Sequence, residues 1–131
     1  MNTKIDKIFT EISAGELVDK ITILEIKKDK ISEKEKLNEI QKELLSLNET
    51  FKKSINDKNK ILSYKNDLKN VNLKLWDIED GKRLAEKNSQ FDEKFIELAR
   101  SVYKFNDERA KIKLAINNAL GSNIKEVKSY E

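Results

Sequence analysis

The side chains that could do chemistry in this sequence are carboxylates, amines, guanidinium groups and hydroxyls. The chain contains no His and no Cys, which removes the commonest general base, every thiolate nucleophile and nearly all zinc, copper and haem ligands. Acid–base chemistry would fall to Asp, Glu, Lys or Tyr, and a metal would have to be a hard cation held by carboxylates. Phosphate-loop, Ser-nucleophile and HExxH motifs are absent from the sequence. We therefore predict no catalytic residue, no metal site and no cofactor.

The first group of charged residues is interleaved with apolar ones between positions 16 and 27. At about 100° per residue the apolar side chains point almost all round a helix axis, which predicts a helix buried on several sides. Charges within it either find partners or extend along their aliphatic stems to its edges, and both interpretations stay open. Glu16 and Lys20 have the i,i+4 spacing of an ion pair along a helix. The candidate site residues in this group are Glu16, Asp19, Lys20 and Glu25.

A second group lies between positions 72 and 83. One helix face, within an arc of about 80°, carries Asn72, Trp76, Glu79, Asp80 and Arg83. A Trp among carboxylates, an amide and a guanidinium is either a binding surface or an aromatic residue that flanks the core beside a solvated ladder of charges. The candidate site residues in this group are Trp76, Asp77, Asp80 and Arg83.

The third group lies between positions 100 and 109. Three of the 27 basic residues are Arg, and a planar, bidentate donor in a Lys-rich chain can mark a contact with an anion. Arg109 falls on the apolar seam of its helix, and Arg is almost never fully buried unless it is paired. It serves either as a structural ion pair or as the grip of an anionic ligand. The carboxylates expected to meet it are Glu25, Asp77 and Asp80.

The same helix supplies four further candidate residues. Asn106 lies beside Arg109 in the sequence-based helical projection. The opposite side carries an outward polar stripe of Arg100, Tyr103 and Asp107.

Four amphipathic helices are predicted to position these groups. The first should run from about 14 to 30, because Ser13 and Glu16 form a capping box inside a hydrophobic staple of Ile12 and Leu17. Two capping devices at one point make this the clearest boundary in the chain.

Apolar residues at spacings of three and four, close to a coiled-coil heptad, predict the other three helices. The second should begin near position 33, where Ser32 and Glu35 repeat the capping-box spacing. A soft break at 56–59 separates it from the third, which should end near Asn88, with that residue left-handed. The fourth should run from about position 92 to a closing Gly121.

Length and charge fit a single domain spanning residues 1–131. Because the connections are short, we expect an antiparallel four-helix bundle of long helices, with the second and third forming a hairpin and with short extended termini that could pair as strands. The net charge of +3 is spread among interspersed signs, which argues against nucleic-acid binding. No apolar stretch is long enough for a membrane span or a secretory signal, so a cytoplasmic protein is expected.

Three blocks of sequence together span nearly the whole chain. They are EISAGELVDKITILEIK at 11–27, NLKLWDIED at 72–80 and ELARSVYKFNDERAKIK at 97–113, with a trailing EVKSY at 126–130. These blocks resemble a small bacterial family known only as a domain of unknown function, whereas the stretch 33–67 matches it poorly. The resemblance implies membership and supplies no catalytic or binding residue.

Two functions compete on these observations. The first is a non-catalytic helical module that binds a protein partner or assembles with itself. The missing catalytic residue types favour it, as do Leu45, Leu62 and Leu73, apolar residues off the main seams that a second copy could cover in a homodimer. The second is a site for a small anionic ligand, or the site of an all-α enzyme, where helices 1, 3 and 4 bring charged groups together. The residue types favour the non-catalytic module over the enzyme.

Overall fold

The computed structural model describes residues 4–129, and four α-helices lie in that range. They are α1 (Ala14–Lys30), α2 (Lys34–Ser54), α3 (Leu62–Lys87) and α4 (Glu93–Leu120), and a 3₁₀ turn (Lys58–Ile61) leads into α3. The helices pack against one another, which confirms the predicted all-α, bundle-like fold. Between residues 4 and 129 there is no strand, so the terminal segments do not pair as strands there. No helix in this range is both long and apolar enough to cross a bilayer.

The helix starts depend on whether a capping side chain lies at the right residue. The predicted cap at Ser13 is confirmed, because its Oγ accepts a hydrogen bond from the Glu16 backbone N–H at 3.1 Å. The predicted cap at Ser32 is wrong: Glu33 is the N-cap of α2 and makes no side-chain capping bond. Since α2 begins one residue later than that cap requires, the Ser32 hydroxyl precedes the N-cap position.

The helix ends follow backbone conformation. Gly121 closes α4 with φ 62°, the left-handed conformation that was predicted. At the end of α3 the prediction for Asn88 is wrong, because Asn88 has φ −94° and Ser89 is the left-handed residue, with φ 52°. The Asn88 N–H still donates to the Leu84 carbonyl oxygen at 3.1 Å, so the helical turn continues one residue further than expected.

The helices form two antiparallel pairs, α1 with α2 and α3 with α4. The predicted hairpin of the second and third helices is wrong, because α2 packs along α1. Ile55 and Ile61, at either end of the connection to α3, are 7% and 1% exposed. Burial of both residues draws the connection into the core and directs α3 to another side of α1. A side-chain contact remains between the two helices, where Lys65 Nζ lies 5.9 Å from the centre of the Phe51 ring.

The central helix is α1, which contacts each of the other three helices. This agrees with its apolar residues pointing all round the axis. One cluster of buried side chains joins α1 to its neighbours: Leu17, Val18, Ile21, Leu24, Ile40, Leu44, Ile55, Ile61, Leu68 and Ile116. Beyond this core α3 and α4 continue as a two-helix arm, and no residue from 79 to 112 is buried.

The three leucines predicted to lie off the main seams differ in exposure. Leu45 and Leu62 are 63% and 52% exposed. Leu73 is half-buried, so it contributes less than expected to a free surface.

Candidate functional site

A carboxylate at the centre of the molecule joins three helices through polar side chains. Asp19 of α1 has an exposed fraction of 0%. Arg109 of α4 donates to both carboxylate oxygens, with Nε 2.9 Å from Oδ1 and Nη2 on Oδ2. Asn72 of α3 donates from Nδ2 to the same Oδ1 at 2.9 Å and to Thr22 Oγ1 at 3.0 Å. Thr22 in turn donates to the Asp19 carbonyl oxygen at 2.7 Å. We call these four residues the central network.

The central network satisfies the conditions under which a buried charge is tolerated. A buried carboxylate needs both a counter-charge and hydrogen bonds, and the bidentate Arg–carboxylate pair supplies them in the strongest form. Within residues 4–129 no buried side-chain nitrogen or oxygen lacks a partner. The hydrogen bond to Asp19 raises the pKa of the Arg109 guanidinium above its ordinary value, although partial burial opposes the rise. Asp19 therefore holds the Arg109 guanidinium in one orientation.

Arg109 also lines a cleft between α1, α3 and α4. The cleft has a volume of about 390 Å³, and its wall includes Ile23, Ile26, Leu75, Trp76, Asp80 and Arg83. The Arg109 side chain is 28% exposed. Two of its N–H donors bind Asp19, so the others, on Nη1 and Nη2, have no partner among residues 4–129. The volume lies in the range of small-molecule sites, roughly 300–1,000 Å³.

The wall of the cleft carries charges of both signs. Arg83, Arg109 and two carboxylates, Glu79 and Asp80, line the same opening. Glu79 is also paired with Lys82, whose Nζ lies 3.4 Å from it. Asp19 lies behind Arg109 and compensates its charge. The cleft therefore combines guanidinium donors with carboxylate acceptors and is not simply a positive pocket.

Several residues singled out from the sequence share this cleft. Trp76, Asp80 and Arg83, from the predicted face of α3, line it together with Arg109. Asp19, from the first group, lies directly behind it. Residues from all three groups thus lie in or next to one site.

The prediction of which carboxylate pairs with Arg109 is wrong. Asp80 lies in the same cleft, but Asp19 accepts the guanidinium hydrogen bonds. Glu25 is engaged elsewhere, with Lys65 and Lys69 at 3.8 and 3.7 Å, and Asp77 is exposed. The reason is the rotation of α1 about its axis, which turns Asp19 towards α3 and α4 at once.

A separate charged cluster lies beside the N-terminal end of α1. Lys113 Nζ is 2.7 Å from the Glu16 carboxylate and 2.8 Å from that of Glu126. Burial lowers the pKa of Lys113, but hydrogen bonds to Glu126 and Glu16 outweigh it, so the pKa is raised. The hydrogen bond from Lys113 lowers the pKa of Glu126. Lys20 Nζ lies 3.7 Å from Glu16, as predicted, and neither of these two residues lines the cleft.

The first backbone N–H groups of α1 are bound by side chains from the other end of the chain. The Gly15 N–H donates to Asn117 Oδ1 at 2.6 Å, and the Ala14 N–H donates to Ser122 Oγ at 3.0 Å. A Cβ added at Gly15 would lie 2.4 Å from the Lys113 carbonyl oxygen. The N-terminal end of α1 is therefore closed against α4, and its orphan donors are already satisfied.

The remaining candidate residues lie on α4, away from the cleft. Arg100 and Tyr103 are exposed, with Tyr103 at 58%, and Asp107 and Asn106 are half-buried. None of them lines the cleft. Arg100, Tyr103 and Asp107 lie on the side of α4 opposite Arg109.

Several residues of the central network and of the N-terminal end of α1 do not stand out as candidates in the sequence. Gly15 had a signal, since it lies in the first turn of α1, two residues after the capping Ser13, where Gly is unfavourable for a helix. Thr22 lies three residues after Asp19 and so on the same face of α1. Asn117 and Lys113 had no signal, because an amide or an amine at a helix edge is usually solvated.

The geometry defines an all-α, bundle-like protein with a mixed-charge cleft above a buried ion pair. The chain belongs to the family of unknown function DUF6165, whose model matches residues 8–131. This confirms the resemblance of the three blocks to a family without an assigned activity. No curated protein and no solved structure matches the chain.

Proposed function

We propose that this protein is a non-catalytic binding module whose cleft holds a small zwitterion with an apolar body. One observation carries the proposal: Arg109, fixed by the buried Asp19, lines a cleft beside Trp76 and has N–H donors that no residue between 4 and 129 uses. A guanidinium that is already oriented binds a carboxylate bidentately with little further loss of side-chain freedom. The absence of His and Cys from the chain supports binding rather than catalysis.

The charges of the cleft favour a zwitterion over a simple anion. Arg109 and Arg83 suit a ligand carboxylate, whereas Asp80 on the same wall would repel a ligand that carried only negative charge. Glu79 contributes less to this repulsion, because Lys82 Nζ lies 3.4 Å from its carboxylate. An ammonium group on the ligand turns that repulsion into attraction. The indole of Trp76, together with Ile23 and Ile26, suits an apolar or aromatic body. An amino-acid-like molecule has all three parts.

The chain's single Trp supplies the measurement that tests this proposal. Trp76 is the only Trp of the sequence and lines the cleft, so its fluorescence reports a ligand there. Phenylalanine is titrated beside two matched probes, 3-phenylpropionate, which lacks the ammonium group, and 2-phenylethylamine, which lacks the carboxylate. We expect phenylalanine to change the fluorescence at the lowest concentration. Equal binding of 3-phenylpropionate would contradict the zwitterion, and no response to any of the three would contradict the site.

Two variants separate the roles of the charges. Asp80→Asn should weaken phenylalanine binding and leave 3-phenylpropionate binding unchanged or stronger, because the repelling carboxylate is lost. Arg83→Gln should weaken both ligands that carry a carboxylate. Lys42→Gln, at an exposed position of α2, is the control and should alter neither titration.

A second candidate function is non-catalytic self-assembly or the binding of a protein partner. Exposed apolar side chains favour it: Leu45, Leu62, Leu84, Phe91 and Ile96 are all at least 47% exposed. Exposed apolar side chains of this kind often mark a surface that packs against another protein. Sedimentation velocity over a concentration series tests it, and a sedimentation coefficient independent of concentration at the monomer value would contradict self-assembly.

A further inference from the structure

The outward face of α4 carries six residues at alternating spacings of four and three. They are Ile96, Arg100, Tyr103, Asp107, Ala110 and Leu114, and we call them the α4 stripe. These spacings are those of the a and d positions in a heptad, along which two helices pack side by side. The stripe lies on the side of α4 opposite Leu98. Leu98 faces α3, since its Cδ1 would lie 3.1 Å from a Cβ added at Gly81.

The α4 stripe is open to solvent along most of its length. Ile96, Tyr103 and Leu114 are 47%, 58% and 43% exposed. Towards its C-terminal end Glu126 and Lys128 of the terminal segment line a pocket together with Ala110 and Leu114. Apolar side chains therefore lie at both ends of the stripe and an aromatic one lies near its middle.

We propose that the α4 stripe pairs with the same stripe of a second copy, antiparallel, about a twofold axis that crosses the stripe at the level of residue 105. The stripe positions form three pairs, 96 with 114, 100 with 110 and 103 with 107, and the midpoint of each pair is residue 105. Ile96 therefore packs against Leu114 of the second copy, and Tyr103 lies opposite Asp107 of the second copy, where its hydroxyl can donate to the carboxylate. Arg100 lies opposite Ala110 of the second copy, a small residue beside the Glu126 carboxylate of the same copy.

Charge complementarity selects a second copy as the occupant and sets its direction. In the antiparallel arrangement Arg100 lies one layer from Asp107 of the second copy, and the twofold axis creates this contact twice. Beside the stripe, Glu97 comes opposite Lys111 of the second copy. A parallel pairing would instead place Arg100 against Arg100 and Asp107 against Asp107, which like-charge repulsion disfavours.

The flanking Lys104 opposes the proposed dimer. Lys104 of each copy lies close to the axis, so the two ammonium groups repel one another at low salt. Six stripe residues per copy are also fewer than the roughly 20–30 residues per side of a standard interface. We therefore expect a weak dimer that dissociates in the micromolar range, and Lys104→Gln should strengthen it at low ionic strength.

This inference gives the second candidate function a surface and a partner, and it rests on that function rather than on the cleft. Arg109 lies on the α3 side of α4, across the helix from the stripe. Ligand binding in the cleft and pairing along the α4 stripe can therefore be tested separately in the same full-length chain.

Cysteine cross-linking tests the direction of pairing, because the native chain has no Cys. The double variant Ile96→Cys/Leu114→Cys should form disulfide-linked dimers under mild oxidation. The single variant Ile96→Cys should not, because the two copies of residue 96 lie about 27 Å apart along the antiparallel pair at 1.5 Å per residue. A cross-link in the single variant would show parallel pairing and overturn the proposal.

A charge swap tests the contact between Arg100 and Asp107. Arg100→Glu and Asp107→Arg should each weaken dimerisation in sedimentation equilibrium at least tenfold, and the double swap should restore it. Both residues lie at the surface, and circular dichroism confirms that each variant folds. A double swap no better than either single variant would overturn the α4 pairing.

Two results separate the inference from the function on which it rests. If the protein dimerises but the 96/114 pair does not cross-link, while Leu45→Cys does, self-assembly stands and the α4 surface is wrong. If the protein is a monomer up to near-millimolar concentration, both fail.

Discussion

Arg109 and Arg100 lie nine residues apart on α4 and have opposite environments. Arg109 is bound by a fully buried carboxylate and lines the cleft. Arg100 is exposed on the α4 stripe and forms no ion pair with residues 4–129. The residue type and the helix are the same. The difference comes from α1, which lies against the side of α4 that carries Arg109 and leaves the other side free.

The central network depends on contacts with other helices of the same chain, whereas the α4 stripe would depend on contacts with a second chain. The central network brings together positions 19 and 22 of α1, position 72 of α3 and position 109 of α4, and its contacts between helices join residues 50 to 90 positions apart. The α4 stripe uses positions on one helix, and its partner would be the same positions of another chain. A substitution in the network should therefore alter folding and ligand binding together, whereas one in the stripe should alter only association.

The largest expected effect tests this contrast with two matched substitutions. Arg109→Met keeps the length and apolar volume but leaves Asp19 buried without its counter-charge. Breaking a buried pair costs about 3–5 kcal/mol, and the 28% exposure of the Arg109 side chain points to the lower end. Arg100→Met removes an exposed charge and should change the free energy of unfolding by about 0.5 kcal/mol or less. Urea denaturation measures both values.

The double variant Arg109→Met/Asp19→Asn separates structure from binding. Neutralising the carboxylate removes the uncompensated charge, so much of the lost stability should return. Binding of phenylalanine should not return, because no guanidinium is left at that end of the cleft. If Arg109→Met is as stable as the parent, the Asp19–Arg109 pair does not contribute to stability and the contrast with Arg100 fails.

A second, smaller effect tests the close approach that brings α1 to α4. Gly15→Ala places a methyl group against the Lys113 backbone. Overpacking of this kind costs about 1–3 kcal/mol, and the shift of α1 should also weaken ligand binding in the cleft while dimerisation remains. Gly81→Ala is the matched control, since its new methyl meets the movable Leu98 side chain and alanine favours the helix by up to about 1 kcal/mol. In thermal melts Gly15→Ala should lower the melting temperature, and Gly81→Ala should raise it or lower it clearly less.

The sequence predicted what depends on local pattern. The helix start at Ser13 and the closing Gly121 follow from capping chemistry, and the burial of α1 follows from apolar residues all round its axis. The sequence also predicted that Trp76, Asp80 and Arg83 share one face of α3, because helical spacing alone places them side by side, and all three line the cleft.

What the sequence did not predict depends on how helices are rotated and paired. Arg109 pairs with Asp19 and not with Glu25 because of how α1 is rotated about its own axis. The spacing of residues within α1 does not determine that rotation. The pairing of α2 with α1 follows from burial of Ile55 and Ile61, two apolar residues in a stretch otherwise rich in Asn, Asp and Lys. The hydrogen bond from the Gly15 N–H to Asn117 Oδ1 joins residues that are 102 positions apart. A single sequence gives no signal for such a contact.

The smallest expected effect concerns Glu126, whose contact with Lys113 borders the α4 stripe. Its pKa is lowered from 4.5 by the Lys113 ammonium, so its contribution to stability is present above pH 4.5 and is lost as pH falls through the folded-state value. The side chain is 55% exposed, which limits the contribution to about 1 kcal/mol or less. Glu126→Gln should therefore lower the melting temperature slightly at neutral pH, and the difference from the parent should vanish on acidification below pH 4.5. Glu49→Gln, an exposed carboxylate of α2, is the control and should show no such convergence. A difference that grew on acidification would mean that Glu126 is not held by Lys113.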